Sequence, residues 1–200
     1  MMRWALSFFL LSFLTWSLCG CGATTNFDSH VAMDNEFRLH RVAILMIFAS
    51  AMPEQSVADL KKVTAEGFQD YGVLTRTITF QQQDLLNIST DPDEYIDHLA
   101  EEVSDILPSH MLIIKQTGLT FSGQDVFAFA FDYTLHETMT QKIVWTATSR
   151  TSKDNNTTPG AALVESSVDK LLTALMLDGL LDPAWPIEPS PAEQDNRRRD

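Results

Sequence analysis

The sequence predicts an α/β (α+β) domain: a mixed sheet of about five strands in the order β-α-β-α-β-β-β-α, with helices mainly on one face. Three observations carry that expectation. Residues 41–49 form a continuous apolar run of the kind found in a central strand covered on both faces. Two segments of helical periodicity each lead from one strand-like run to the next, which makes parallel neighbours of the strands they connect. Residues 125–135 alternate strictly, and a short polar turn joins them to another β-rich run, which reads as an antiparallel hairpin.

The elements follow in chain order. Residues 1–20 read as a cleaved secretory signal, with one positive charge at Arg3 before an apolar stretch of about fifteen residues. That stretch is short of the roughly twenty residues a spanning helix needs, and no basic stop-transfer residues follow it. The segment Leu18-Cys19-Gly20-Cys21 sets an aliphatic residue and two small ones before Cys21. It resembles the lipobox of bacterial lipoproteins, which implies acylation of Cys21. Cys19 does not fit, because Trp16 and Leu18 are too bulky for its small-residue slots. A glycine rather than an acidic residue follows Cys21, and for such lipoproteins this implies the outer membrane, on its periplasmic side. The membrane is then a partner through the N-terminal lipid, and more than one acyl chain makes the attachment effectively stable. Residues 21–39 are polar and small without a sustained period and read as a lipidated flexible tether, reaching at most about 60 Å.

Residues 40–181 read as a single domain. After the strand at 41–49, Pro53 and Glu54 open a helix that runs to about Tyr71, with Leu60, Val63, Gly67 and Tyr71 on one stripe. Residues 73–80 are rich in β-branched side chains and make a strand. Asp91-Pro92-Asp93-Glu94 has the order of a helix cap, and Ile96, Leu99, Ala100, Val103 and Leu107 would be the buried stripe of the helix it starts. Residues 110–115 are a third strand and 125–135 a fourth. On the fourth, Phe127, Phe129, Phe131, Tyr133 and Leu135 share one face, while Ala128 and Ala130 share the other. Residues 142–148 are a fifth strand, and 149–160 a polar loop. A last helix carries Val164, Val168, Leu171, Leu172 and Leu175 on one stripe and ends at Gly179. Residues 182–200 form a Pro-rich and polar tail. There is no internal repeat.

This order, with the strand Val-Ala-Ile-Leu at 42–45, Lys-Ile-Val-Trp at 142–145 and a closing helix that ends in Asp-Gly-Leu-Leu at 178–181, resembles the N-terminal domain of TolB and the periplasmic lipoproteins CsgG and LpoB. The resemblance spans roughly residues 41–181 and implies an accessory role in the cell envelope. The chain lacks the long tether of LpoB and an obvious pore-forming segment like that of CsgG.

Composition and motifs narrow the function classes. The net charge is −13 over 200 residues, which argues against a nucleic-acid partner. Only two cysteines exist, Cys19 and Cys21, so a chain cleaved before Cys21 has neither a disulfide nor a cysteine metal site in its domain. The five histidines have no metal-ligand spacing, Asp91, Asp93 and Glu94 lack the rest of a calcium loop, and no serine sits in a Gly-x-Ser-x-Gly elbow. No catalytic residue, cofactor or metal is predicted, and the chain does not read as an enzyme. The remaining feature is the aromatic row. With helices over the alanine face, Phe127, Phe129, Phe131 and Tyr133 would form an open partner-binding surface, joined by Trp185 in the tail. The expected function is a non-enzymatic outer-membrane lipoprotein that binds an envelope protein partner and can self-associate, as an accessory or assembly factor. Two alternatives are an auxiliary transport lipoprotein, whose Phe row would line a cavity for lipid or another apolar ligand, and an unrecognised periplasmic hydrolase.

Overall fold

The structure, a computed structural model, describes residues 22–32, 37–49, 51–81 and 102–182. The expected signal, Cys21, the cap at Asp91, most of the helix it would start, Trp185 and the tail lie outside the described residues. The elements are β1 (Ala23–Val31), β2 (Arg41–Phe48), α1 (Glu54–Asp70), β3 (Leu74–Gln81), β4 (His110–Ser122), β5 (Asp125–Glu137), β6 (Ile143–Lys153) and α2 (Gly160–Leu177). The six strands form one mixed sheet in the order β1-β6-β5-β4-β2-β3. β2 pairs in parallel with β3 and β4, as strands joined by crossovers should, and the other neighbours are antiparallel.

The apolar run of β2 places Val42, Ile44, Met46 and Phe48 in the core and leaves only Leu45 and Ile47 partly covered on the opposite side. α1 buries Leu60, Thr64 and Phe68, one residue around from part of the expected stripe, and α2 buries Leu163, Val164, Val168, Leu171 and Leu175. Both helices lie on the same face of the sheet, where Leu60 and Thr64 of α1 and Val168 and Leu171 of α2 meet Ile114, Phe131 and Tyr133. On the other face, the helical turn at 102–106 brings Val103 over Ala43, Leu45, Ile78 and Met111.

Two expectations need correction. The stretch read as a flexible tether contains β1, an edge strand nine residues long. Its inward positions include Thr25 and Ser29, whose polarity hides the two-residue period. Both are satisfied inside the fold: Thr25 Oγ1 lies 2.9 Å from Thr151 Oγ1 and 2.7 Å from Ser166 Oγ, and Ser29 Oγ donates to Asp178 Oδ2 at 2.8 Å. The loop expected at 149–160 likewise begins late, because β6 runs to Lys153 to pair along all of β1.

Candidate functional site

The aromatic row does not form an open surface. Phe129, Phe131 and Tyr133 are at most 2 % exposed and lie beneath the helices, and Phe127 is half-buried. Phe131 meets Phe48 edge-on with centroids 6.3 Å apart, Phe129 at 4.9 Å and Tyr133 at 6.2 Å, and Phe27 of β1 stacks against Tyr133 at 5.4 Å. The faces are thus the reverse of the expected ones. The alternate series on β5 contains Ala128 and Ala130 but also Asp132, Thr134 and His136, and burying an unpaired carboxylate beneath two helices costs far more than burying rings. Helices therefore choose the aromatic side. Beneath the helices the row lines no ligand-sized space: the gap among Leu60, Thr64, Phe131, Tyr133 and Ser167 is 10 Å³. Ligand pockets of drug size run to about 300–1,000 Å³.

The surface features gather at the two ends of the strands. At one end the described chain begins at Gly22, whose carbonyl accepts from Asp154 N–H at 3.1 Å and Thr158 Oγ1 at 3.0 Å. The β4–β5 turn stands at this end, where Gly123 takes φ +66° and Ser122 Oγ reaches Asn156 Oδ1 at 3.2 Å. Between them Ser122, Asp125, Val126, Phe127, Lys153 and Asn156 line a 140 Å³ cavity, and Phe121 beside the turn is 42 % exposed.

At the opposite end lie the starts of β2, β3, β4 and β6, the β5–β6 turn and the C-terminus of α2. Five of the six exposed large apolar side chains in the described residues are here: Leu74, Leu107, Met139, Ile143 and Leu177. Backbone bonds tie their segments together, from Leu74 N–H to His40 O, from Ser109 N–H to Arg41 O and from Thr138 N–H to Ser109 O. The two non-glycine residues with positive φ among the described residues, Leu107 at 45° and Gln141 at 56°, sit here too. Such conformations persist only where the surroundings hold them. Sequence reasoning missed this rim. Its one legible signal was Met139, 94 % exposed in a turn otherwise made of polar residues.

Two polar groups are buried near these features. His110 is 6 % exposed, stacks on Phe37 at 4.4 Å and holds Ser109 Oγ 3.0 Å from Nδ1. Burial pushes its imidazole below the usual value, with the Glu137 carboxylate opposing. Tyr133 lies with its hydroxyl 3.0 Å from Ser149 Oγ, and burial pushes its phenol up against the opposing hydrogen bonds from Ser149 and Ser167. Ser109 Oγ also donates to Arg41 O at 3.2 Å, so its hydroxyl proton is directed at the backbone. Among the described residues no group of His, Cys, Asp and Glu could hold a metal, and no helix is long and apolar enough to cross a membrane.

No protein-family model matches the chain, and no curated protein matches it. Solved structures do. A Neisseria meningitidis lipoprotein matches over 70 % of this chain and 96 % of its own, at 14 % identity and a TM-score of 0.38. A Xanthomonas campestris protein matches over 76 % and 90 % at 12 % identity and a TM-score of 0.42. The PelC dodecamer from Paraburkholderia phytofirmans matches over 76 % of this chain and 96 % of that one, at 16 % identity and a TM-score of 0.50. What the chain shares with PelC is its fold.

Proposed function

We propose that the chain is a non-enzymatic lipoprotein of the outer membrane, anchored through Cys21 on the periplasmic side and working in several copies as an accessory or assembly factor of a cell-envelope protein complex. The observation that carries the partner claim is the apolar rim of Leu74, Leu107, Met139, Ile143 and Leu177, gathered at the end of the sheet remote from Gly22. Scattered exposed apolar residues are ordinary, but a cluster on one end of an otherwise acidic molecule marks a surface that meets protein. The lipobox supports the anchor, and the fold shared with a protein that forms a dodecamer supports self-association. The packing of Phe131 and Tyr133 against the helices, with 10 Å³ of space beside them, counts against the apolar-carrier reading.

Three measurements test this reading. Metabolic labelling with a fatty acid should mark the wild type and Cys19→Ser but not Cys21→Ser. Light scattering of the detergent-solubilised chain should give a mass of several protomers. The double substitution Met139→Lys, Ile143→Lys should reduce that mass or strip envelope proteins that cross-link to the wild type. An unlabelled monomer, indifferent to both substitutions, sinks the proposal.

A further inference from the structure

We infer that the domain is seated directly on the lipid surface by the end of its sheet, with the β4–β5 turn against the headgroups and Phe121 at the interface. The inference rests on the proposed lipidation of Cys21 and adds to it where the domain stands. The first described residue is one peptide bond from that cysteine and has no slack: Gly22 O is held by Asp154 and Thr158, Ala23 is already paired with Lys153, and Ala23 O accepts from Ser166 Oγ at 3.3 Å. Consecutive Cα atoms are about 3.8 Å apart, so an acylated residue 21 brings this end of the sheet to the depth at which its acyl chains enter the bilayer.

Register then says what else reaches that depth. Ala23 is level with Lys153, and Ser152 with Ala128, so β5 continues past this level through 127, 126 and 125 to the turn at 123–124. Counted along β4 from Thr120, which is level with Thr24, Gly123 lies three residues on, so at about 3.3 Å per residue the turn projects roughly 7 Å beyond Ala23, to the level expected one Cα step past Gly22. Phe121 pairs with Val126 just past the bulge at Thr120/Phe121, which puts it between the levels of Ala23 and Gly22. Its ring is 42 % exposed among Ser122, Gly123 and Gln124, and is the one large exposed hydrophobic at this end among the described residues. The headgroup layer on each side of a bilayer is only about 5–8 Å thick, so a ring at this level meets the boundary where aromatic side chains are favoured. Lys153 against Asp125 and Asp154 leaves this end with no excess of positive charge, so the occupant is a bilayer as such and not an anionic lipid.

The test uses the full lipidated chain, with Trp185→Phe, in vesicles of phosphatidylcholine whose acyl chains carry bromine, a short-range quencher. In that background Trp145 is fully buried and bonded to Asp178 at the other end of the sheet. Phe121→Trp should lose emission to the brominated lipid and shift to the blue, while Met139→Trp should show neither. A Gly-Ser insert between Cys21 and Gly22 should abolish the quenching of Trp at 121 while fatty-acid labelling persists. If the protein is labelled and floats with the vesicles but Trp at 121 and at 139 are quenched alike or not at all, the seating is wrong and the anchor stands. If it is neither labelled nor bound, both fail. Circular dichroism matching the wild type, with Trp145 emission unchanged, assures that each variant is folded, and Phe121→Tyr, without a new fluorophore, should keep the flotation of the parent.

Discussion

Phe131→Ala tests the assignment of faces most directly. Phe131 is 1 % exposed and packed among Phe48, Phe129, Tyr133 and the inward side chains of both helices, and its neighbour Asp132 points to the opposite, exposed face. Truncating a buried phenylalanine costs about 3–5 kcal/mol, since the ring's transfer energy is lost and the cavity relaxes only in part. The adjoining free space of 10 Å³ shows how tightly the site is filled, so the upper part of that range is expected. A domain of this size has about 5–15 kcal/mol in total, so one side chain accounts for about a fifth or more, and the melting temperature should fall by about 6–20 °C. Asp132→Ala, one residue along, should stay within about 0.5 kcal/mol. Urea melts of the chain lacking residues 1–21 measure both, and a lower midpoint at constant slope identifies a change in stability. A tolerated Phe131→Ala beside a disruptive Asp132→Ala would mean that the helices cover the other face and the packing argument is wrong.

Other expectations follow from single contacts. Asp178 Oδ2 accepts from Trp145 Nε1 at 2.7 Å and from Ser29 Oγ, so Asp178→Ala should cost about 1–3 kcal/mol and alter Trp145 emission in a Trp185→Phe background. Burial holds His110 below its usual value, so the unfolded chain takes up the proton first: stability present above about pH 6.5 should decline as pH falls through the depressed folded value. Urea midpoints across that range should show a smaller decline for His110→Gln. Gly123→Ala should cost about 1 kcal/mol, since φ is +66° there, whereas Gly160→Ala, with open space and an ordinary helical backbone, should be neutral or slightly stabilising in the same melts.

The parts of the fold legible in the sequence are those whose burial is uniform. β2 is apolar throughout, and α2 carries a full stripe, so composition alone identifies both. β1 is different: its inward face is Ala23, Thr25, Phe27, Ser29 and Val31, and the two hydroxyl residues are buried only because Thr151, Ser166 and Asp178 receive them from chain more than a hundred residues away. No local pattern encodes such a partner. The choice of face on β5 was open for a related reason. Rings and alanines can both meet a helix, and what decides is the carboxylate of Asp132 on the alanine side, a single residue in an otherwise apolar alternation. The apolar rim was illegible because its members come from five separate segments, each with one exposed side chain.

The pairing of β1 with β6 also orders events in time. Ala23 meets Lys153 and Thr24 Oγ1 meets Asp154, so the first of the six strands to be made must wait for the last before it has any neighbour in the sheet. Contacts of such long sequence separation are closed late and slowly. Until β6 is made, β1 is an unpaired strand with Phe27 uncovered, and only when β6 brings Trp145 does the Phe27 ring pack against it and against Tyr133 of β5. Closing the sheet is therefore a late act for this chain: β1 gains its neighbour only once β6 and α2 supply Lys153, Ser166 and Asp178.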